Sequence, residues 1–540
     1  MEREKLLQNE KERTEKLFNF RPVLFSAVCL CLGVLFVYLH YLIGLSLWWF
    51  CSLPVLGVII FFITYKRTGV KRVLIALLLL ACSFALGAGA FALQIYDFQS
   101  VQSYEGEQTV IGRVIELTQT DKGTRVLLDG VYIGQNRENG TLVAYLPASY
   151  AQMLNLSDEI IFHTDIYTKT DIFGQYGVNV AALRERTRRY TYAGECVVTG
   201  HAPDLFLDVR QRIKDVLEAG MDETPAAVTM AVLLGDTGGM DEGLLDNIRR
   251  GGIAHIFAVS GLHIGALYAF CLLLVNKTGL SRTPKIVRFL LVTAVLFFYG
   301  GVCGFSASVL RAIVICLTSY VFLLIGLKYD SLEALGFAIV INILLAPCTL
   351  FSVGFLLSFA ACFGIALLAR PLAGLIRIEK GRDSQGNTHP LTLWQSVAKA
   401  CVNFVAVTLS AQLATTPILL AYFGYVSGFS LLLNGLFVPI LSAIFPFLLL
   451  VVAVAFLLPI TVSAYILFLP NAVWSALLLL FQSVDFSAFC IENIKLTVAA
   501  VFCYYVGLLF CTDKWNISKS HKIVLAAVYF TASALCVAFG

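Results

Sequence analysis

Residues 253–265 place His255, Ser260 and His263 at the head of a long apolar run, with Gly261 and Gly265 between and after them. Two imidazoles can hold a metal ion, and a serine beside a histidine can act as a nucleophile. Spacing tests both. On one regular helix, His255 and His263 would stand about 80° apart around the axis and about 12 Å apart along it. That is too far for a shared metal, and the His-x-x-x-His spacing of a zinc protease is absent. Ser260 and His263 are three residues apart, about 60° on a helix, so they share a face. No acid nearby orients that pair. Two readings remain, a packed, hydrogen-bonded role and the lining of a polar path, since polar groups at membrane depth are costly. Gly261 and Gly265 are one turn apart and would let a second helix approach closely.

The preceding stretch, Leu233 to Asp241, combines glycines with Asp236 and Asp241. It has no Gly-Lys-Ser/Thr, so it is not a nucleotide P-loop. Asp241 can cap a short amphipathic helix running through Leu244 to Arg250. Asp236 then either closes a surface loop or borders the mouth of a pathway. Further on, Arg311 lies inside an apolar run and needs a partner, water or a route to the interface. Glu333, in another run, could pair with it. Gln412 and Thr416 are one turn apart before Pro417, and Asn434 precedes Pro439. Both sets can join helices through hydrogen bonds.

A second group of basic residues lies in the polar stretch. Arg184, Arg186, Arg188 and Arg189 run beside Tyr190 and Tyr192, while Arg113, Lys122, Arg125, Arg137 and Lys169 are spread along strand-like segments. Basic and aromatic side chains together suit single-stranded nucleic acid. A solvated face or contact with lipid headgroups uses the same residues.

The elements that position these groups follow from composition. Of 540 residues, 58% are hydrophobic and 14% charged, against about 25% charged in soluble chains. The chain therefore reads as a polytopic α-helical membrane protein with roughly ten spans of about 20 residues each. The net charge of +4 implies no partner by itself. The cysteines are scattered without a C-x-x-C pair, which argues against a thiolate metal site, and the polar stretch holds only Cys196, so no internal disulfide forms there. The first apolar run follows a charged amino terminus, but Val34 to His40 offers no small-residue cleavage site, so it reads as a retained helix.

Three parts emerge. Residues 1–96 hold a charged segment and three spans, near 23–45, 47–64 and 73–95. Residues 97–204 are polar, with five candidate strands near 110–116, 125–129, 141–146, 159–165 and 195–199. Five short strands in about 100 residues suit a small β-barrel, OB-like domain inserted between the spans. Residues 205–540 form the remaining multi-helix domain. Lys and Arg gather before the first span, between the second and third, and near 277–288, 370–399 and 514–522. The positive-inside rule places these groups in the cytoplasm and the β domain outside. Pro439 and Pro446 interrupt the run 429–458, which can cross once or re-enter as two half-helices. A single crossing agrees with the later basic loop.

These blocks together resemble the ComEC family of competence DNA-uptake channels. Leu233-Leu234-Gly235-Asp236, Ala254-His255 and Ala258 to Gly265 are similar to its signature. Ser306 to Arg311, Pro347, Gly354 to Ala360, Ala411 to Pro417, Phe423-Gly424 and Asn434 follow in the family's order. The resemblance covers about 205–440 and, more weakly, the amino-terminal half. It implies a channel in the bacterial cytoplasmic membrane that passes single-stranded DNA during natural transformation, without a cofactor. Asp236, His255, Ser260, His263, Arg311 and Gln412 fall on the family's recurring polar positions. A DNA receptor, a separate nuclease, cytoplasmic DNA-translocation proteins and self-association into homo-oligomers are the expected partnerships. Many members also end in a metallo-β-lactamase-like domain with a His-x-His-x-Asp-His cluster, and none of this chain's seven histidines lies in that pattern. The expectation is therefore the channel half without the nuclease. The competing readings are a shortened homologue acting as a small-molecule transporter, and an intramembrane hydrolase using Ser260 and His263.

Overall fold

The computed structural model describes residues 21–44, 71–100, 104, 106–120, 123–174, 177–257, 259, 261–277, 283–326, 330–376, 392–492, 494, 496–512 and 518–538. The span expected near 47–64 lies outside them. Among the described residues, nine helices are long and apolar enough to cross a membrane.

The first of these, α1 (Pro22–Ile43), opens on a proline whose fixed φ suits a first turn and closes on Gly44 in the left-handed region. It lies against α2 (Lys71–Gln99) with backbones almost touching. A Cβ on Gly87 would stand 2.1 Å from the Leu30 carbonyl oxygen, and one on Gly33 equally close to that of Phe84. Small residues permit this approach, which maximises dispersion contact where no hydrophobic effect drives association.

The β domain follows. Its strands are β1 (Glu107–Thr120), β2 (Gly123–Ile133), β3 (Leu142–Leu146), β4 (Asp158–Asp165), β5 (Tyr167–Thr168), β6 (Arg189–Tyr192) and β7 (Val197–His201). They run in the order β7-β4-β1-β2-β3-β6-β5, with Asn136–Arg137 added beside β2. Register shifts after Ile111 and Val114 bend β1. Val110, Val114, Val126, Leu128, Leu142, Ile160 and Phe162 form its core. The five expected strands are present. The sixth, β6, occupies what reads in sequence as a basic run. It pairs parallel to β3, and Thr191 on its inner side meets Thr164 of β4 at 2.8 Å.

This domain is docked on one end of the helix bundle. The Arg184 guanidinium donates to the Phe305 carbonyl at 2.9 Å. The Gln94 amide, near the end of α2, donates to the Leu183 carbonyl and accepts from the Cys348 backbone.

Next come α3 (Leu205–Gly220), amphipathic and capped by Asp204, and α4 (Glu223–Leu234), buried on nearly every side. At the turn between them, Asp222 exchanges two hydrogen bonds with Asn471. Asn471 lies in the middle of the candidate span Thr461–Leu479 of α13 (Ile460–Ser483). The turn between α3 and α4 is thus tied to the middle of α13. A short helix α5 (Glu242–Arg250) follows, with the Asp241 carboxylate accepting from the Leu244 N–H at 2.9 Å, the cap the sequence predicts.

The remaining helices are α6 (Gly261–Lys277), α7 (Lys285–Val302), α8 (Ala307–Ile325), α9 (Ser331–Leu345), α10 (Val353–Ala373), α11 (Leu393–Phe423), α12 (Ser430–Leu457), α13, α14 (Val498–Phe510) and α15 (Lys519–Ala538). Despite Pro439 and Pro446, α12 is one unbroken helix. Short strands β8 (Tyr425–Ser427) and β9 (Cys490–Glu492) pair and tie the chain after α11 to the chain after α13.

One expectation fails here. Glu333 does not pair with Arg311. Its carboxylate accepts the Leu24 N–H at 3.1 Å, at the start of α1, and Arg21 pairs with Asp330 at 2.8 Å alongside. The exposed amides and positive dipole end of α1 draw this acid away from the arginine.

Candidate functional site

The segment 253–265 is not one helix. Gly252, with φ +75°, follows the last turn of α5. Ala254–Ile256 make one turn of 3-10 helix, and α6 starts only at Gly261. The regular-helix distances between His255 and His263 therefore do not apply, and the two imidazoles lie within electrostatic reach of each other. His263 is buried, its ring 4.5 Å from that of Phe445 on α12. His255, in the 3-10 turn, is exposed. Ser260 lies outside the described residues, so the serine–histidine pair has no observed geometry.

Two contacts hold this segment at its ends. At its start, Gly252 packs against the loop leading into α12, and a Cβ there would stand 2.5 Å from that of Ser430. The Gln412 amide of α11 donates to the same Ser430 hydroxyl at 2.7 Å, and Thr416 donates to the Gln412 carbonyl. At its end, Gly261 faces Arg311 of α8, and a Cβ there would stand 3.1 Å from Nη2. Gly261 thus permits a close approach, but to a guanidinium. Among the described residues, no heavy atom lies within 4 Å of where a Cβ on Gly265 would be, so Gly265 is not a point of close helix approach. Asn434 is buried on α12 one turn past Ser430.

Arg311 is 5% exposed. Its Nη2 donates weakly to Ser308 at 3.4 Å, and the Phe359 ring lies 5.5 Å away. Ser308 in turn meets Ser358 at 3.3 Å.

Asp236 follows Gly235, whose left-handed conformation ends α4. Its carboxylate pairs with Arg210 of α3 at 2.9 Å and accepts the Gly238 N–H at 3.1 Å. Burial alone would raise this carboxyl, but the charge and hydrogen bond of Arg210, with the Gly238 amide, carry it below the ordinary carboxylate range. Asp236 is therefore a brace between loop and hairpin. Tyr299 completes the brace from α7 by donating to the Leu233 carbonyl.

Residues far apart in sequence thus meet around one broken helix start, and the model of the family described as Competence protein matches residues 232–516. The chain belongs to the Competence protein family. Asp236, His255, His263, Arg311, Gln412 and Asn434 all fall inside the matched region. The chain is 28% identical over 236 residues to ComE operon protein 3 of Bacillus subtilis (strain 168), a match covering 43% of this chain and 27% of that relative. No solved structure matches. Among the described residues, no group of three or more His, Cys, Asp or Glu side chains could hold a metal ion.

The β domain lies outside the family match, and most of its described arginines are engaged by protein groups. Arg113 pairs with Asp129 and Asp204, Arg125 with Glu116, and Arg186 and Arg188 with Asp97. Arg189 is buried against Glu138, its guanidinium 4.3 Å from the Tyr104 ring centre. Arg184 docks the domain, Arg137 is exposed, and Lys122 lies outside the described residues. Tyr190 and Tyr192, named with the basic run in sequence, are joined by two tyrosines that were not, Tyr145 and Tyr167. Tyr145 stacks on Tyr192 at 5.1 Å, Tyr167 stacks on Tyr190 at 5.4 Å, and the two pairs touch edge to face. The alternation Arg-Tyr-Thr-Tyr in β6 is the signal for this cluster, because it turns both tyrosines to the outer face.

Proposed function

We propose that this protein is the membrane-channel part of a bacterial DNA-uptake system, carrying single-stranded DNA across the cytoplasmic membrane during competence. The observation that carries the reading is the clasp on the signature segment. Gln412 through Ser430 at one end and Arg311 at the other flank a stretch that departs from regular α-helix and leaves His255 exposed. Broken backbone at membrane depth is tolerated where it lines a cavity.

The amino terminus and basic loops lie in the cytoplasm, and the β domain, an OB-like barrel, lies outside. The Lys/Arg bias supports this orientation, as does the opposition of ends. Arg21 and Asp330 sit at one end of the bundle, and the β domain docks at the other through Arg184 and Gln94. The tyrosine cluster would receive bases by stacking. A DNA receptor outside and a translocating protein inside complete the system, because no nucleotide-binding motif supplies energy within this sequence.

Labelled-DNA uptake tests the proposal directly. Deleting the gene should abolish uptake, and His255→Ala should lower it several-fold while the protein still reaches the membrane. Unchanged uptake on deletion would sink the channel reading.

A further inference from the structure

We infer that Arg311 and the amino-terminal end of α6 form a binding site for a single phosphate group, filled during transport by the backbone of the moving strand. This rests on the DNA-translocation reading for the identity of the phosphate, but not for the existence of the site. Four observations lead to it. The Arg311 guanidinium is 5% exposed, yet its Nε and Nη1 groups find no hydrogen-bond partner among the described residues. Glu333, the acid that sequence offered as its partner, is engaged at α1. Arg311 makes no ion pair among the described residues, and a ring face such as that of Phe359 attracts the charge without accepting its N–H groups in line. A buried charge left in that state is costly, and a protein keeps one where an opposite charge arrives.

The second observation is direction. Nη2 lies against Gly261, the first described residue of a 17-residue helix. The positive end of that helix dipole and the guanidinium therefore lie side by side, and both favour an oxyanion. The third is shape. The planar fork of an arginine matches two oxygens of a phosphate, and the hydroxyls of Ser308 and Ser358 stand beside it as further donors. The fourth is room. Among the described residues, no heavy atom lies within 4 Å of where a Cβ on Gly265, one turn on, would be. Glycine at 261 has a function in this account, since a methyl group there would press on the guanidinium.

A strand passing through needs charge compensation that is local and reversible. One arginine supplies it for one phosphodiester at a time. The same chemistry would accept free phosphate or a lipid headgroup, so the test separates the sources.

The full chain, purified in detergent and in nanodiscs with and without anionic phosphatidylglycerol, would be treated with phenylglyoxal. Modification of Arg311 would then be read from its peptide by mass spectrometry. In detergent, Arg311 should react slowly but measurably. Inorganic phosphate and a phosphodiester thymidine oligonucleotide should protect it about tenfold, as expected for a bidentate charged contact, while a methylphosphonate oligonucleotide should not. Gly261→Ala should weaken the protection without removing the arginine. Uptake in cells should fall strongly with Arg311→Gln and less with Arg311→Lys.

No reaction at Arg311 without ligand, or reaction that phosphate does not slow, would overturn the site. Equal protection by methylphosphonate would overturn phosphate recognition. Protection only in anionic nanodiscs would reassign the site to lipid and overturn the strand-phosphate assignment. If deletion leaves uptake unchanged while phosphate still protects Arg311, the site stands and the translocation reading falls.

Discussion

Asp236 shows what one polar residue contributes in this chain. Its charge is held by Arg210 and by the Gly238 amide, so it fastens the loop after α4 to the hairpin before it. Because the folded carboxyl titrates below the unfolded one, the pair adds stability above the ordinary Asp pKa of about 3.9. That stability is lost as pH falls through the lower folded value. The carboxylate is partly exposed, which limits the contribution to below about 1 kcal/mol. Melting temperature followed between about pH 5 and 3 should fall more steeply for the native chain than for Asp236→Asn. Equal slopes would show that the brace carries no energy. At this scale the sequence was readable where the partner is local. Asp241 caps the helix three residues on, as its spacing indicates. It was not readable for Arg311 and Glu333, because the acid's true partner is the start of a helix more than 300 positions away.

Among the elements, the α1–α2 pair is the tightest contact. Gly33 and Gly87 bring backbone against backbone, which leaves no volume for a side chain. Gly87→Leu should separate the two helices and destabilise the protein by at least about 1–3 kcal/mol, the usual effect of overfilling a packed interface. A thermal-unfolding comparison with Gly89→Leu provides the control, since nothing lies within 4 Å of a Cβ at Gly89. Equal destabilisation of the two variants would contradict the close packing. Apolar length identified these helices and kept α12 whole across two prolines. Periodicity did not reveal the break before α6, because Ala258 to Gly265 is apolar enough to read as continuous helix. Only the packing of Gly252 on Ser430 and of Gly261 on Arg311 defines where the helix begins.

For the whole molecule, the division into helices, an inserted β region and further helices was visible from composition alone. The role of the arginines in the β region was not. Ion pairing depends on which strands meet, and β6 carries Arg189 inward while turning Tyr190 and Tyr192 out. With most of the described arginines paired, the proposed DNA binding by this face should depend largely on stacking. Tyr192→Ala together with Tyr167→Ala should weaken binding of single-stranded DNA by the full chain. The salt dependence should be shallow, near one or two phosphate contacts at about 0.7 each in the log–log slope. A steep slope unaffected by the tyrosines would favour a charge-led surface elsewhere.

If the candidate span holding Asn471 crosses the bilayer, the α3–α4 turn makes the dielectric profile there uneven. Asp222 and Glu223 are exposed at the level of Asn471, halfway along a span. Where polar protein and water reach that level, the insulating layer is reduced to about half of its usual 30 Å. The membrane voltage then drops across the remaining half. A charge entering along the polar side of α3 would meet little field at first and about twice the usual field strength across the remaining half.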